Sequence, residues 1–175
     1  MFLIFLYAAI VGVAICRPQT SSYLNITTQL EDLDEMSDEE LQFLTSFMKI
    51  IRDTAMKKDQ KLEKVRMMLG KGDAEATKKL LGLVGLAIEY NDWVEDQTKN
   101  ASPKVKEAIS KISDLLCDIS FLKKTPAKRV TEIKAIIDSL SDSEKKELEQ
   151  LDELGNKKAK EMGIELSTQT MKKQH

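Results

Sequence analysis

Asp138, Asp142, Glu144 and Glu149 occupy positions 1, 5, 7 and 12 of a twelve-residue window inside IDSLSDSEKKELEQL, residues 137–151. Carboxylates at that spacing are the skeleton of a calcium loop, in which side-chain oxygens replace the hydration shell of a hard cation. A loop of the EF-hand kind also needs oxygen at position 3 and glycine at position 6, for its sharp turn. Here those positions are Leu140 and Ser143. Leu140 instead completes an apolar helical stripe with Val130, Ile133 and Ile137, and Ser141 with Glu144 spells a capping box. The window therefore predicts one helix ending and another beginning. A looser cation site remains, built from Asp138, Asp142 and Glu149, and calcium or magnesium is the ion it would take. Asp138 and Asp142 flank the junction, whereas Glu149 lies about 10 Å along the helix axis from Asp142, so weak affinity is expected. The run EDLDEMSDEE (31–40) carries seven acids and no base. It is read first as the favourable negative start of a helix, and second as a surface for a cation or a basic partner.

Other chemistry is thinly provided for. The single histidine is His175, the last residue, which leaves no histidine-based metal site, catalytic triad or cysteine–histidine pair. No phosphate-cradling glycine loop occurs, and no catalytic activity is expected. Net charge is −2, and no basic face studded with aromatics calls for nucleic acid. Cys117 falls on an apolar helical stripe and reads as a small buried hydrophobe. Gly82 and Gly85 within a helical stretch suggest close helix–helix approach, or bare backbone against a lipid. Trp93 reads as a packing residue or a partly exposed anchor beside Tyr90.

The elements that would position these groups are all helices. Lys, Glu, Leu and Ala dominate, while Pro (three) and Gly (seven) are scarce, a composition that favours helices. Ser37-Asp38-Glu39-Glu40 is a capping box, and Leu41, Leu44, Met48, Ile51, Ala55, Leu62, Val65 and Leu69 continue at 3-4 spacing. That predicts one long helix, or two nearly collinear ones hinged near 56–60. Gly70-Lys71-Gly72 ends it, and Asp73 caps a helix over about 74–99 with Leu80, Val84, Ala87, Asn91 and Val94 on one face. Ser102-Pro103 and Thr125-Pro126 open the next two, and Ser141 opens the last, which is expected to close at Gly155. No strand pattern appears. The expected fold is all-α, an antiparallel bundle of five or six helices over 37–155, preceded by a polar segment (17–36) and followed by a basic flexible tail (156–175). Corners are expected at 70–72, 100–103, 120–126 and 141.

The fourteen residues from Phe2 to Ile15 are an unbroken apolar run followed by RPQTSS. Such a run is shorter than the roughly 20 residues a membrane span needs and fits the core of a secretory signal peptide. Residues 1–16 are read as that peptide, cleaved after Ala14 or Cys16, with an uncleaved membrane anchor as the competing reading; no later segment could span a membrane. Export gives meaning to the sequons Asn25-Ile26-Thr27 and Asn100-Ala101-Ser102. Asn25 is the candidate glycosylation site, since Pro103 hinders the second.

Taken together, LGKGD, ASPKVKEAISKI and KRVTEIKAIIDSLSDSEKKELEQL resemble the nematode SXP/RAL family over about residues 38–155, most closely where Ile133, Ile136, Leu140 and Lys145 to Glu149 fall. The resemblance implies a small secreted protein of a parasitic roundworm, of antigen or allergen type, with a helical domain described as cation-binding and no established enzymatic activity. The uninterrupted 41–69 repeat departs from the family, whose members carry a breaker there. A second resemblance, through the Ser-Pro helix starts, is to the nematode fatty-acid and retinol-binding family. It implies a lipid carrier with an internal apolar cavity, which Gly82, Gly85, Met48, Met67 and Met68 could serve. The expected function is a secreted interaction protein at a host boundary, with a host or parasite protein as partner and weak divalent-cation binding; a small lipid is the alternative ligand.

Overall fold

The computed structural model describes Leu33 and residues 36–70 and 73–164. The expected signal peptide, Asn25, nearly all of the 17–36 segment, the Lys71-Gly72 corner and the tail beyond 164 lie outside the described residues. Within them the protein is all-helical. The order is α1 (Asp38–Arg52), α2 (Lys58–Leu69), α3 (Ala74–Thr98), α4 (Pro103–Leu116), α5 (Ile119–Leu122), α6 (Pro126–Asp138) and α7 (Asp142–Glu161). Among the described residues there are seven helices, counting the single turn of α5, where five or six were expected.

Several helices begin where a side chain takes up orphan backbone groups, whereas α6 begins on Pro126 with no side-chain cap bond from Thr125. Ser37 opens α1 with a complete capping box: the Glu40 amide donates to Ser37 Oγ and the Ser37 amide donates to Glu40 Oε2. Asp38, Glu39 and Glu40 form its first turn and Lys49 and Arg52 its last, the charge order that complements the helix dipole. Asp73 Oδ1 accepts the Ala76 amide at the start of α3, and Pro103 and Pro126 stand in the first turns of α4 and α6. α3 has 25 residues, so it runs about 37 Å.

Three boundaries differ from expectation. The 41–69 repeat does not make one helix: residues 53–57 are non-helical, and Asp53 Oδ1 accepts the Ala55 amide at 2.9 Å. This Asx-type turn competes with helical pairing, and Ala55 leaves the stripe. Cys117, expected in mid-helix, is the C-cap of α4, with α5 following after Asp118. Gly155, expected to end the last helix, is buried inside α7. The stop is Gly163, with φ of 69°. There the Ile164 amide donates to Ala159 O (2.9 Å) and the Gly163 amide to Lys160 O (3.1 Å), the paired bonds of a Schellman motif. Residues 156–164 therefore belong to the folded domain.

One large apolar cluster joins the helices. Phe47, Ile51, Val65, Val84, Ile88, Val105, Ile112, Phe121, Ile137 and Leu148 are among its buried members. A smaller second cluster lies between α3 and the end of α7. Tyr90, Ala159 and Ile164 are buried there, with Leu86, Trp93, Val94 and Met162 packed around them.

Candidate functional site

The 138–149 corner is as the residue spacing predicts in its backbone, and its carboxylates have other occupations. Leu140 is buried, while Asp138, Asp142 and Glu149 are exposed. Asp138 closes α6 and faces Lys145 Nζ at 3.8 Å. Glu144 is committed to the cap: its Oε2 accepts the Ser141 amide at 2.8 Å and the Ser141 hydroxyl at 2.7 Å. The backbone bond, then the hydroxyl bond, holds the Glu144 carboxyl below its ordinary range, and Lys104 adds a smaller pull. Asp142 is the first residue of α7, on the positive helix end. Glu149 lies two turns further along the same helix. Among the described residues no group of three or more His, Cys, Asp or Glu side chains is placed to hold a metal ion. The acids of the 31–40 run that fall within the described residues form the first turn of α1, and Asp38 pairs with Lys123 at 2.8 Å.

The structure gathers functional-looking side chains elsewhere, at places the residue pattern did not single out. Lys61 is 2% exposed, and its ammonium donates to the Ile51 carbonyl near the end of α1 (2.6 Å) and to Asp92 Oδ1 of α3 (3.4 Å). Arg129 is 1% exposed, and its Nη1 donates to the Leu122 carbonyl (2.6 Å) and the Lys124 carbonyl (2.7 Å). Arg52, at the end of α1, donates to Asp114 Oδ1 (3.3 Å) and to Cys117 Sγ (3.4 Å). Burial opposes the charge on Arg52, but the bonds to Cys117 and Asp114 outweigh it and leave its pKa raised. Glu147 of α7 accepts the Ser102 amide at 2.7 Å, so a side chain 45 residues away caps the start of α4. A signal for Arg129 was present, since it stands four residues before Ile133 on the stripe that continues to Ile137. The same spacing links Lys61 to Val65. In sequence alone a basic residue on an apolar stripe carries no sign of whether it interrupts the stripe or is buried with it.

The features that could serve a lipid do not converge. A side-chain carbon at Gly82 would meet nothing within 4 Å, and one at Gly85 would meet only the Lys58 side chain at 3.8 Å. Close approach of a neighbouring backbone is thus not what either glycine provides. Met48 is buried in the main core, whereas Met67 is 66% exposed. Tyr90 and Trp93 stack with centroids 6.1 Å apart, inside the second cluster. Among the described residues no helix is long and apolar enough to cross a membrane.

Compared with models of known protein families, with curated proteins and with solved structures, the chain matches none.

Proposed function

We propose that this chain is an exported, non-enzymatic protein whose helices form an antiparallel bundle and which acts by presenting its charged surface to a protein partner. One observation carries the reading. Of the charged side chains drawn into the interior, Lys61 and Arg129 donate to main-chain carbonyls at helix ends, and Asp152 accepts from Asn156 one turn along α7. Polar chemistry inside the fold thus serves the framework, and the exposed charge is what remains for recognition. The apolar run Phe2 to Ile15, with polar residues after it, supports export as a cleaved signal peptide, and export supports glycosylation of Asn25. The resemblance of residues 38–155 to the SXP/RAL family supports a nematode antigen acting at the host boundary.

Divalent-cation binding is proposed only as a weak property of the 138–149 corner. Asp138 and Asp142 flank the junction and could share calcium or magnesium with several waters. Lys145 competes for Asp138, and Glu149 is about 10 Å down the helix from Asp142. Calorimetric titration with calcium and with magnesium, run beside displacement of a fluorescent fatty acid, tests the proposal against its rival. Weak cation heats that vanish in Asp138→Asn/Asp142→Asn, with no lipid displacement, are expected. Tight lipid displacement with silent cation titrations would establish the lipid carrier instead. Secretion from eukaryotic cells with the native N-terminus should yield a chain starting after Ala14 or Cys16 with a glycan on Asn25; retention as an uncleaved, membrane-bound chain would overturn export.

A further inference from the structure

We propose that the Lys57–Lys58 peptide bond is a cleavage site for an extracellular trypsin-like serine protease, and that the product is a two-chain protein still held by its core. Such a protease reads one residue, a lysine or arginine whose cation enters an acidic pocket, and takes the chain around it in extended form. Helical segments must unwind before they fit, so exposed non-helical segments are cut first. Among the described residues the lysines outside helices are Lys57, Lys99, Lys123 and Lys124, and every arginine is within a helix. Lys99 and Lys123 keep right-handed helical backbone, at φ −55°, ψ −31° and φ −78°, ψ −6°. Lys124 is clasped: its Nζ bonds both carboxylate oxygens of Glu132, and its carbonyl accepts from Arg129. Lys57 is exposed and extended, at φ −74° and ψ 157°.

Both sides of that bond can yield. On the N-terminal side, residues 53–57 are non-helical, and Thr54, Ala55 and Lys57 are exposed. The bonds that shape this stretch are local. Asp53 Oδ1 accepts the Ala55 amide, the Met56 amide donates to the Asp53 carbonyl, and the Lys57 amide donates to Gln60 Oε1. The corner before α4 differs, since its Ser102 amide is tied to Glu147 of α7 and Ala101 is buried. On the C-terminal side, Lys58, Asp59 and Gln60 are exposed, and the first buried residue of α2 is Lys61. Seating the protease therefore frays one helical turn, against a Lys58–Glu89 pair that is about half exposed on both sides and holds little. The remainder of α2, anchored through Lys61 and Val65, stays in place.

Hydrolysis consumes one water and leaves a carboxylate on Lys57 and an ammonium on Lys58. No side chain of residues 53–60 is buried, so the cut removes nothing from the core. In the N-terminal piece, α1 keeps Leu44, Phe47 and Ile51 in the same cluster as Val65, Val84 and Ile88 of the other piece, which holds the two together. What changes is the covalent link between α1 and α2, and the new ammonium sits at the positive end of α2, where the helix dipole opposes it. The protease class rests on the export proposed above; the accessibility of the bond does not.

Brief digestion of the purified full chain with trypsin, read by mass spectrometry and native size exclusion, tests the site. The first cut within residues 38–164 is expected between Lys57 and Lys58, with both pieces eluting together at the position of the intact chain. Lys58→Pro separates accessibility from fold. Trypsin does not cut before proline, Lys58 is the first residue of α2, where proline is suited, and Lys57 already has the extended backbone that a residue before proline requires. This variant should keep its helix content and slow the first cut at least about tenfold. Lys57→Gln with Lys58→Gln should give the same protection without a proline. A first cut elsewhere within 38–164, an unchanged rate in both variants, or separation of the two pieces on the column would overturn the proposal. Retention of the chain inside cells, in the secretion experiment above, would overturn export and the extracellular protease with it, even where trypsin makes this cut.

Discussion

Replacing Arg129 by methionine tests whether buried cations hold the corners of this fold. Methionine matches the unbranched stem of the side chain and removes the guanidinium. Two terms then oppose each other. Losing a buried charge is favourable in itself, because its desolvation is no longer required, and buried ionic groups can often be exchanged for apolar ones at no loss. Arg129, however, donates to main-chain carbonyls, which stay behind when it is gone. Leu122 is 2% exposed and its carbonyl receives a 2.6 Å bond; the Lys124 carbonyl receives one of 2.7 Å in a partly buried setting. A buried acceptor left without a donor costs about 1–3 kcal/mol, and the partly buried one less, so the carbonyl term wins. The expected net loss is about 2–3 kcal/mol, which for a domain of this size lowers Tm by roughly 6–10 °C. Urea unfolding followed by far-ultraviolet circular dichroism should show a lower midpoint. Arg129→Lys restores a donor at shorter reach and should fall between the two. A methionine variant within about 0.5 kcal/mol of the parent, the spread of ordinary surface substitutions, would refute the reasoning.

Three further outcomes follow from the same geometry. Ser141→Ala removes the hydroxyl of the α7 cap and should cost about 1 kcal/mol, read as a lower urea midpoint with α-helix content retained. Glu144 and Asp118 are both held below their ordinary values of 4.5 and 3.8 by bonds from Ser141 and Ser120; their contribution is present above those values and is lost as pH falls through the lower folded ones, so Glu144→Gln with Asp118→Asn should flatten the acid limb of a stability–pH profile. Ending the chain at Gly155 removes Ala159 and Ile164 from the second cluster, which should cost about 2–4 kcal/mol and shift the emission of Trp93, the single tryptophan, to longer wavelength; unchanged emission and midpoint would show that residues 156–164 are not part of the folded unit.

How legible the fold was in the sequence depended on the range of the interaction that decided each feature. Helix starts were readable because Ser37, Asp73 and Ser141 act within three residues of themselves, and the Ser102-Pro103 and Thr125-Pro126 steps act through backbone geometry. The buried stripes of α4 and α6 were readable for the same reason. Helix ends were harder. Gly155 has the composition of a stop, yet the apolar residues beyond it, Ala159 and Ile164, find Tyr90 some seventy positions earlier, and that packing carries α7 on to Gly163. The break at 53–57 was masked by a continuous apolar spacing, because the local competition from Asp53 leaves no gap in the pattern. At the candidate site the cap at Ser141 was legible. The further step of assembling Asp138, Asp142 and Glu149 was not justified by spacing alone, since the first turns toward Lys145 and the last lies down the helix.

The corners explain why a chain so rich in charge can turn so often with so few glycines. Among the described residues only Gly70 and Gly163 adopt positive φ, so glycine stops α2 and α7 and no other helix. The remaining ends leave carbonyls or amides without partners, and a charged side chain from a distance meets several of them. Lys61 reaches back to Ile51 at the end of α1, and Arg129 takes Leu122 and Lys124 where α5 ends. Arg52 differs in that it reaches side chains at the end of α4, the Cys117 sulfur and the Asp114 carboxylate, and no main-chain carbonyl. Glu147 supplies the start of α4 from α7. Cations meet carbonyl ends and an anion meets an amide end, the sign that the helix dipole favours. Each of these contacts also ties one helix to another, so the devices that close the turns are at the same time the devices that place the helices. A substitution at Lys61 or Arg129 should therefore be felt as loss of tertiary order before loss of helix, whereas one at Ser37 or Ser141 should act the other way round. Near-ultraviolet and far-ultraviolet dichroism recorded through the same melt separate the two: earlier loss of the near-ultraviolet signal is expected for Arg129→Met, and coincident curves in every variant would show that the corners and the caps stabilise the fold in the same way.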